Sequence, residues 1–206
     1  MHIPPQLAAE IEALALRYGQ PAQTEVALPD GLFDPLVKTD RFGEVCMVIR
    51  RPGGHLITMR KTFYPPGIMR LPTGGVAHGE PIEAALLREV AEETSLTVAV
   101  RRFLALVGYR TPQGPVDSPA FYTFAFLLDE LGGTLAVQDP EEQLEAFGEV
   151  EPAGLPALAA ALEGLADHQD QAIGGSWHSW GLFRAVVHRV VAAQLGAPGK
   201  AEQDSS

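Results

Sequence analysis

Three glutamates within five residues are the feature of this 206-residue sequence that most directly suggests chemistry. Glu89, Glu92 and Glu93 belong to a segment predicted to be helical from Pro81, at the first helical position, to about Thr94. Since an α-helix turns by about 100° per residue, the three carboxylates share one face. Like charges one turn apart repel each other, and hard oxygen ligands favour Mg²⁺, with Mn²⁺ as the alternative. The spacing therefore indicates a divalent metal site.

The same helix has a second interpretation, a solvated acidic face. Against it, solvated faces usually mix both signs of charge, and only Arg88 stands near the three carboxylates. The helical wheel also predicts that Ala84, Leu87 and Ala91 pack against the protein on nearly the opposite side. On the wheel alone, both interpretations stay open.

The residues around the glutamates resemble the Nudix box. That motif is Gly, five residues, Glu, seven residues, then Arg-Glu-apolar-any-Glu-Glu-any-Gly-apolar, and from Gly74 the chain reads GGVAHGEPIEAALLREVAEETSL. Ser95 stands where the motif has its last Gly, which predicts either a strained left-handed residue or a differently shaped helix end. The matching residues are Gly74, Glu80, Arg88, Glu89, Val90, Glu92, Glu93 and Leu96.

The resemblance implies an α/β fold, the Nudix-type α/β/α sandwich with a mixed sheet, here with added N-terminal and C-terminal helices. It also implies hydrolysis of a nucleoside diphosphate linked to another moiety, by water attack on the pyrophosphate. A divalent cation neutralises that anion and activates the water in such reactions. The implied partner is therefore a small-molecule nucleoside-diphosphate substrate, and the implied cofactor is Mg²⁺ or Mn²⁺.

The resemblance also implies the metal ligands. Glu89 and Glu93 correspond to the main ligands, and Glu92 completes the cluster. A backbone carbonyl before the first Gly of the box ligates metal in the family, and here it falls on Thr73. Glu89 is accordingly counted among the catalytic residues as well.

Three further box residues correspond to supporting positions. Arg88 is expected to orient a box carboxylate through a charge-assisted hydrogen bond, and is counted as catalytic for that reason. Glu80 is expected to lock the turn from loop to helix, and Gly74 is a structural residue of the box. Neither Arg88 nor Glu80 needs to contact the substrate.

A general base is expected from a loop before a late strand, where family members often supply a further Glu. The segment DPEEQLEAFGEV offers Glu141, Glu142 and Glu145. Glu142 is favoured because residues 144–150 are predicted to form that strand. A solvated acidic loop remains the alternative for each of the three.

Two features near the box are similar to the ADP-ribose pyrophosphatase group of the family. That group has Leu-Pro-Ala-Gly before the box and a Pro about sixteen residues beyond it, and this chain has Leu-Pro-Thr-Gly at 71–74 and Pro112 sixteen residues after Leu96. Arg70 departs from the group, which often has Glu there. ADP-ribose or another nucleotide sugar is the favoured substrate, and Pro112 is a candidate substrate contact. Nucleoside triphosphates, dinucleoside polyphosphates and a catalytically silent nucleotide-sugar sensor stay open.

Basic residues are scarce, which directs attention to those near the predicted site. Lys and Arg together number 15 against 26 Asp and Glu, for a net charge of −11. Arg60 and Arg70 flank the loop before the box and could clamp a phosphate, or could equally pair with surface acids. Such an acidic chain is not expected to bind a nucleic-acid polymer.

The remaining composition places the protein among ordinary globular chains. Its apolar fraction is 46%, and no run of the sequence is long and apolar enough to span a membrane. The start lacks the pattern of a signal peptide, and the single Cys46 cannot form an internal disulfide. A cytoplasmic protein is the expectation, and the terminal helices leave a homodimer contact open.

Periodicity predicts the elements that must position these residues. One domain is expected at 39–165, with a packed N-terminal segment at 1–38, a C-terminal helical extension at 166–198 and a disordered tail at 199–206. Residues 20–35 and the loop before the box are predicted to be irregular. The predicted elements are a helix at 6–18, strands at 44–50 and 55–60, the box helix, strands at 97–109 (with a break), 120–128 and 144–150, and two C-terminal helices around 155–165 and 183–195.

Overall fold

The computed structural model describes residues 1–28, 33–112, 114–115, 117, 119–137 and 143–196. Within these residues the predicted strands and helices are present, together with four further strands that the periodicity does not predict. The elements are α1 (Pro5–Tyr18), β1 (Ala22–Ala27), β2 (Arg41–Arg50), β3 (Leu56–Lys61), β4 (Thr73–Ala77), α2 (Ile82–Thr94), β5 (Leu96–Arg110), β6 (Phe121–Gly133), β7 (Leu144–Val150), α3 (Leu155–Glu163), the short pair β8 (Gln169–Asp170) and β9 (Gly175–Ser176), and α4 (Trp177–Gly196).

The sheet is mixed, as expected. Its order is β1-β5-β6-β2-β3-β7, and β4 pairs with β2 beside this path. The β1–β5 and β2–β6 pairs are parallel, and the remaining pairs are antiparallel. The break predicted in 97–109 is instead a series of register shifts within one continuous strand, β5. Such bulges bend a strand without ending it.

Helices cover both faces of the sheet, which confirms the predicted α/β/α sandwich. Along β2, Val45 and Met47 pack in one cluster with residues of α1 and α2, whereas Cys46 and Val48 pack in another with residues of α4. Both sets are fully buried, because each face of β2 is covered. In the described part of the chain, no helix is both long and apolar enough to cross a membrane.

The prediction of irregular structure was wrong for two strands. β1 forms where residues 20–35 were expected to be irregular, and its partner β5 is distant in sequence, with Ala22 opposite Ala105. Its alternating half-buried and exposed residues carry little apolar signal. β4 forms inside the loop before the box, where Gly74 and Gly75 lower strand propensity but pairing with β2 supplies the hydrogen bonds.

The prediction of which face of α2 packs against the protein was also wrong. Ala84, Leu87 and Ala91 face solvent, whereas Glu89 and Glu93 are only 8% and 3% exposed. The wheel prediction assigned charged residues to the solvent side, but in this helix two of them lie on the buried side. The other buried residues of α2 are Ile82, Ala85, Leu86, Val90 and Thr94.

The start of α2 is held by α1 rather than by a residue of its own segment. Pro81 is extended and precedes the first helical residue, which corrects its predicted place inside the helix, and it makes no side-chain cap. Glu10 of α1 instead accepts a hydrogen bond from the N–H of Ile82 at 2.6 Å. Nearby, Glu83 accepts hydrogen bonds from Arg17 at 2.9 Å and from the Tyr18 hydroxyl at 2.6 Å. The position of the box helix therefore depends on α1.

Ser95 ends α2 in the left-handed conformation, the first of the two outcomes expected for it. Its φ is 57° and its ψ is 17°, and its hydroxyl donates to the carbonyl of Ala136 at 3.0 Å. A Cβ in this conformation costs about 1–2 kcal/mol, which glycine avoids.

We expect Ser95→Gly to raise the free energy of unfolding by about 0.5 kcal/mol, because the relieved strain exceeds the greater entropy of an unfolded glycine. Urea unfolding monitored by circular dichroism measures this difference. A loss of stability would show that the hydrogen bond to Ala136 outweighs the strain.

Candidate active site

Gly74 forms a cradle for the first box carboxylate. A Cβ built on Gly74 would lie 2.1 Å from Cδ and 2.3 Å from Oε2 of Glu89. Real Cβ atoms do not approach other heavy atoms this closely, so the Glu89 side chain lies directly on the backbone of β4. Only glycine allows β4 and α2 to hold a carboxylate between them here.

Arg88 joins the loop, the strand and the helix of the box. Its guanidinium donates to both oxygens of Glu80 at 2.8 and 3.0 Å, to the carbonyl of Gly75 at 3.0 Å, and to carboxylate oxygens of Glu89 and Glu92, each at 2.9 Å. These bonds, above all those to Glu80, raise the pKa of Arg88, and in return Arg88 lowers the pKa of the Glu80 carboxyl. Glu80 in turn accepts the N–H of Ala77 at 3.1 Å.

If Arg88 orients a metal ligand of a hydrolase, as the resemblance to the box implies, we expect Arg88→Lys to slow hydrolysis about 10- to 100-fold, the usual cost of losing such a group. An ammonium has no planar fork and cannot serve three carboxylates and a carbonyl together. Steady-state kinetics measure the change. Arg51→Lys is the matched control, since Arg51 also bridges two glutamates, Glu130 and Glu149, in a different part of the protein. Equal rates for Arg88→Lys and wild type would contradict the assignment.

The donor chemistry of the box fits a hard divalent cation. Glu89 and Glu93 lie one helical turn apart on the buried side of α2, and carboxylate oxygens are the ligands that such cations prefer. Glu92 is different, because its side chain is 47% exposed and its Oε2 is engaged by Arg88. Across the described residues, no three His, Cys, Asp or Glu side chains converge as a metal-binding group. Thr73, at the start of β4, is buried beside Gly74.

A cleft of about 90 Å³ opens beside the box, between β2, β4, the loop after β3 and α4. Arg41 lies against Gly75 on its wall, so that a Cβ on Gly75 would be 2.4 Å from the Arg41 Nη1. The pKa of Arg41 is raised, chiefly by its hydrogen bonds to Asp40 and to a smaller extent by the negative charge of Glu89. The cleft is therefore in electrostatic contact with the box carboxylates.

Arg70, predicted to contact substrate, is a buried wall residue of this cleft. It is 2% exposed and donates to the Tyr64 hydroxyl at 2.6 Å, to the carbonyl of Leu71 at 2.8 Å and to Oγ1 of Thr73 at 3.0 Å. Burial acts to lower the pKa of Arg70, but its electrostatic interactions with Tyr64 and Glu93 and its hydrogen bond to Tyr64 outweigh this effect, so the pKa is raised. Arg70 is thus a fixed cation close to Glu93.

The other predicted contacts lie elsewhere. Arg60 on β3 donates a hydrogen bond to Glu145 on β7 at 2.6 Å. Pairing with an acid is the alternative to phosphate binding that the sequence left open for Arg60. Neither residue lines the cleft. Pro112 is exposed in the loop after β5. The base candidates Glu141 and Glu142 lie outside the described residues.

Three residues of the site region escaped sequence reasoning. Glu44 on β2 is 3% exposed and accepts hydrogen bonds from Thr123 at 3.0 Å and from Arg184 of α4 at 2.7 and 2.8 Å. His188, one turn beyond Arg184, accepts the N–H of Leu71 at its Nε2 at 3.0 Å. Arg184 and His188 are buried within the apolar stripe of α4, which concealed them in the sequence. The signal that could have revealed them is the spacing of two polar residues four apart on that stripe.

The tautomer of His188 follows from its two hydrogen bonds. Because Nε2 accepts from Leu71, the proton lies on Nδ1, which donates to the carbonyl of Arg184 at 2.8 Å. Burial lowers the pKa of His188 to about 4, so the ring is neutral near pH 7. His188 therefore fixes the segment just before Thr73 without adding a charge to the cleft.

A family model and two known proteins match parts of this chain. The NUDIX domain model matches residues 40–169. The chain is 34% identical over 102 residues to a protein of Methanocaldococcus jannaschii named ADP-ribose pyrophosphatase, a match covering 48% of this chain and 57% of that protein. It is 36% identical over 76 residues to putative nudix hydrolase 1 of Caenorhabditis elegans, covering 37% of this chain and 19% of that one. The chain thus spans less than two thirds of each relative.

Solved structures also resemble the fold. The crystal structure of an ADP-ribose pyrophosphatase from Streptococcus suis superimposes with a TM-score of 0.46 at 15% identity, covering 76% of this chain and 93% of that one. A MutT NUDIX hydrolase structure from Burkholderia pseudomallei gives a TM-score of 0.44 at 22% identity, covering 75% and 98%.

Proposed function

Since the chain belongs to the Nudix family, whose domain matches more than half of its residues, we propose that it hydrolyses a pyrophosphate bond with the help of a divalent cation. The proposed substrate is a nucleoside diphosphate linked to another moiety. Water attacks one phosphorus, and the bridging oxygen leaves with the other phosphate.

One observation carries this proposal: Glu89 and Glu93 are held on the buried side of α2, and Glu89 rests in the Gly74 cradle. Burying a carboxylate is costly, so a fold that keeps two of them one turn apart gains from a cation between or beside them. A solvated acidic face would instead leave both carboxylates in water. Their burial favours the metal-binding interpretation.

Mg²⁺ is the proposed cofactor, with Mn²⁺ as the alternative. When bound, such an ion neutralises the phosphate charge and lowers the pKa of a water molecule. Glu89 and Glu93 would hold it, with Glu92 and the carbonyl of Thr73 as the further proposed ligands. Arg88 keeps Glu89 oriented through the 2.9 Å hydrogen bond to its Oε1.

ADP-ribose or another nucleotide sugar is the proposed substrate class. The Leu-Pro-Thr-Gly approach to the box supports it, and so does the name of the relative from Methanocaldococcus jannaschii. Glu142 is the proposed general base, partly because Glu145 is already paired with Arg60. No nucleic-acid polymer is expected as a partner of a protein with a net charge of −11.

A substrate panel tests the proposal. The protein is incubated with Mg²⁺ or Mn²⁺ and with ADP-ribose, nucleotide sugars, dinucleoside polyphosphates and nucleoside triphosphates, and products are resolved by ion-exchange chromatography. We expect cleavage of ADP-ribose or a nucleotide sugar, abolished by a chelator. Binding of a nucleotide sugar without cleavage of any compound would overturn the hydrolase proposal in favour of a sensor.

A further inference from the structure

The cleft beside the box gathers positive charge in a protein that is otherwise acidic. Of the 15 Lys and Arg residues in the whole sequence, five line the described part of this cleft, against two carboxylates there, Asp34 and Glu44. In a chain of net charge −11, this local reversal of sign marks a surface suited to an anion. The five cationic residues are Lys38, Arg41, Lys61, Arg70 and Arg184.

Arg184 is the charged residue that α4 contributes to the lining of this cleft. The residue is 6% exposed, and its Nη1 donates to both oxygens of Glu44 and to Oγ1 of Thr73 at 3.1 Å. The buried Nε has no acceptor among the described residues. A buried N–H without an acceptor costs free energy, so a ligand that reached it would bind favourably. α4 begins at Trp177, beyond the segment that matches the family.

Arg70 and Arg184 meet at one hydroxyl. Both donate to Oγ1 of Thr73, at 3.0 and 3.1 Å, Arg70 from the segment before β4 and Arg184 from α4. Aromatic rings hold both guanidinium groups, since Cζ of Arg70 lies 5.5 Å from the Tyr64 ring and Cζ of Arg184 lies 5.7 Å from the Trp180 ring. The two guanidinium groups are therefore fixed before any ligand arrives, which lowers the entropic cost of binding.

Arg184 and Arg70 differ in the acceptors that the protein offers them. Glu44 compensates Arg184, and its position is fixed by Thr123. Arg70, in contrast, donates to a phenol, a carbonyl and a hydroxyl, all of them neutral acceptors. The negative charge of Glu93 also acts on Arg70. A buried guanidinium that donates to neutral acceptors such as these is suited to a phosphate oxyanion, to which guanidinium groups bind through paired hydrogen bonds.

We propose that Arg70 and Arg184 form a phosphate subsite next to the box, in which Glu44 is the positioning residue for Arg184. The identity of the phosphate, as part of the pyrophosphate substrate, rests on the proposed function, whereas binding of the oxyanion itself does not. This subsite extends the active site into α4. It holds one phosphate group of the substrate by charge and hydrogen bonding, without a metal ion.

Anion binding to the metal-free protein tests this subsite. Inorganic pyrophosphate, inorganic phosphate and AMP are titrated by calorimetry into the full chain in the presence of a chelator. We expect saturable binding of pyrophosphate by the wild type. In the paired variant Glu44→Gln/Arg184→Gln, which leaves neither member of the ion pair charged, affinity should fall about 10- to 100-fold, the usual worth of a lost charge-assisted hydrogen bond. Arg189→Gln, on the exposed side of the same helix, should bind as the wild type does.

Two further measurements keep the result decisive. If the paired variant fails to unfold cooperatively on heating, Arg184→Lys and Arg70→Lys replace it, because each keeps the charge and loses the fork. In turnover assays, the Arg184→Lys variant should raise KM more than it lowers kcat, whereas a purely structural role would lower the folded fraction and leave KM unchanged.

The outcomes separate the subsite from the hydrolase proposal. Pyrophosphate binding that depends on Arg184, in a protein that cleaves nothing, would support the subsite and overturn the hydrolase. Cleavage of substrate, combined with equal pyrophosphate affinity in the wild type and all arginine variants, would overturn the subsite alone.

Discussion

The Glu93→Gln variant is expected to hydrolyse its substrate at least ~100-fold more slowly than the wild type, since a divalent cation supplies several kcal/mol of charge stabilisation and each 1.36 kcal/mol is tenfold in rate. Glutamine has the same shape but a neutral amide, so it binds a cation poorly. Because the Glu93 side chain is buried at 3% exposure, a solvent-facing group cannot readily take its place.

The fold should survive this change. We expect the melting temperature of Glu93→Gln to stay within about 4 °C of the wild type, which corresponds to about 1 kcal/mol in a chain of this size. Glu83→Gln, on the same helix, is the control, because its carboxylate contacts Arg17 and Tyr18 of α1. Wild-type turnover in Glu93→Gln, or an equal loss of turnover in Glu83→Gln, would contradict the assignment of Glu93 as a metal ligand.

The Gly74→Ala variant should lose activity by about 100-fold although it adds a single methyl group, because a displacement of about 1 Å at a reacting centre can have that effect. The new Cβ would lie 2.1 Å from Cδ of Glu89, so this side chain must leave its place against β4. We expect the flexible Glu89 side chain to move rather than the backbone of β4. Stability is therefore expected to fall far less than activity.

A matched glycine provides the control for Gly74→Ala. In the described part of the chain, a Cβ added to Gly132, near the end of β6, would meet no heavy atom within 4 Å, and Gly132 does not require a positive φ. Gly132→Ala should retain full turnover. Steady-state kinetics and thermal unfolding of both variants separate displacement of Glu89 from general damage to a strand. Wild-type kcat in Gly74→Ala would show that the position of Glu89 is not critical.

The sequence motif located the helix that carries the glutamates, but the helical wheel did not predict which side of that helix is buried. The spacing of Glu89 and Glu93 predicted a shared helix face, and the structure has that face. The wheel placed it toward solvent, because charge is ordinarily a sign of exposure, and only the contact of Glu89 with Gly74 reveals the burial. Hydrophobic periodicity could not reveal it, because two charged residues occupy positions where the rule expects apolar ones.

Residues outside the motif were harder to find for a different reason. Glu44 and Arg184 are 140 residues apart in sequence, and each sits in an apolar run, so neither carries a local signal. The parallel pairing of β1 with β5 is equally non-local. Long-range contacts of this kind are set by the packing of whole elements. A single sequence therefore gives no direct sign that such distant residues are in contact.

The hydrogen bond from Ile82 to Glu10 has a consequence for how the protein can be divided. The helix that carries the motif takes its N-terminal cap from α1, which lies outside the matched residues 40–169. A fragment limited to the family segment would begin that helix with unsatisfied N–H groups and would lose the cap's stabilisation, about 1 kcal/mol. We therefore expect a fragment of residues 40–169 to be less stable than the full chain, because the helix that carries the motif depends on α1 for its cap.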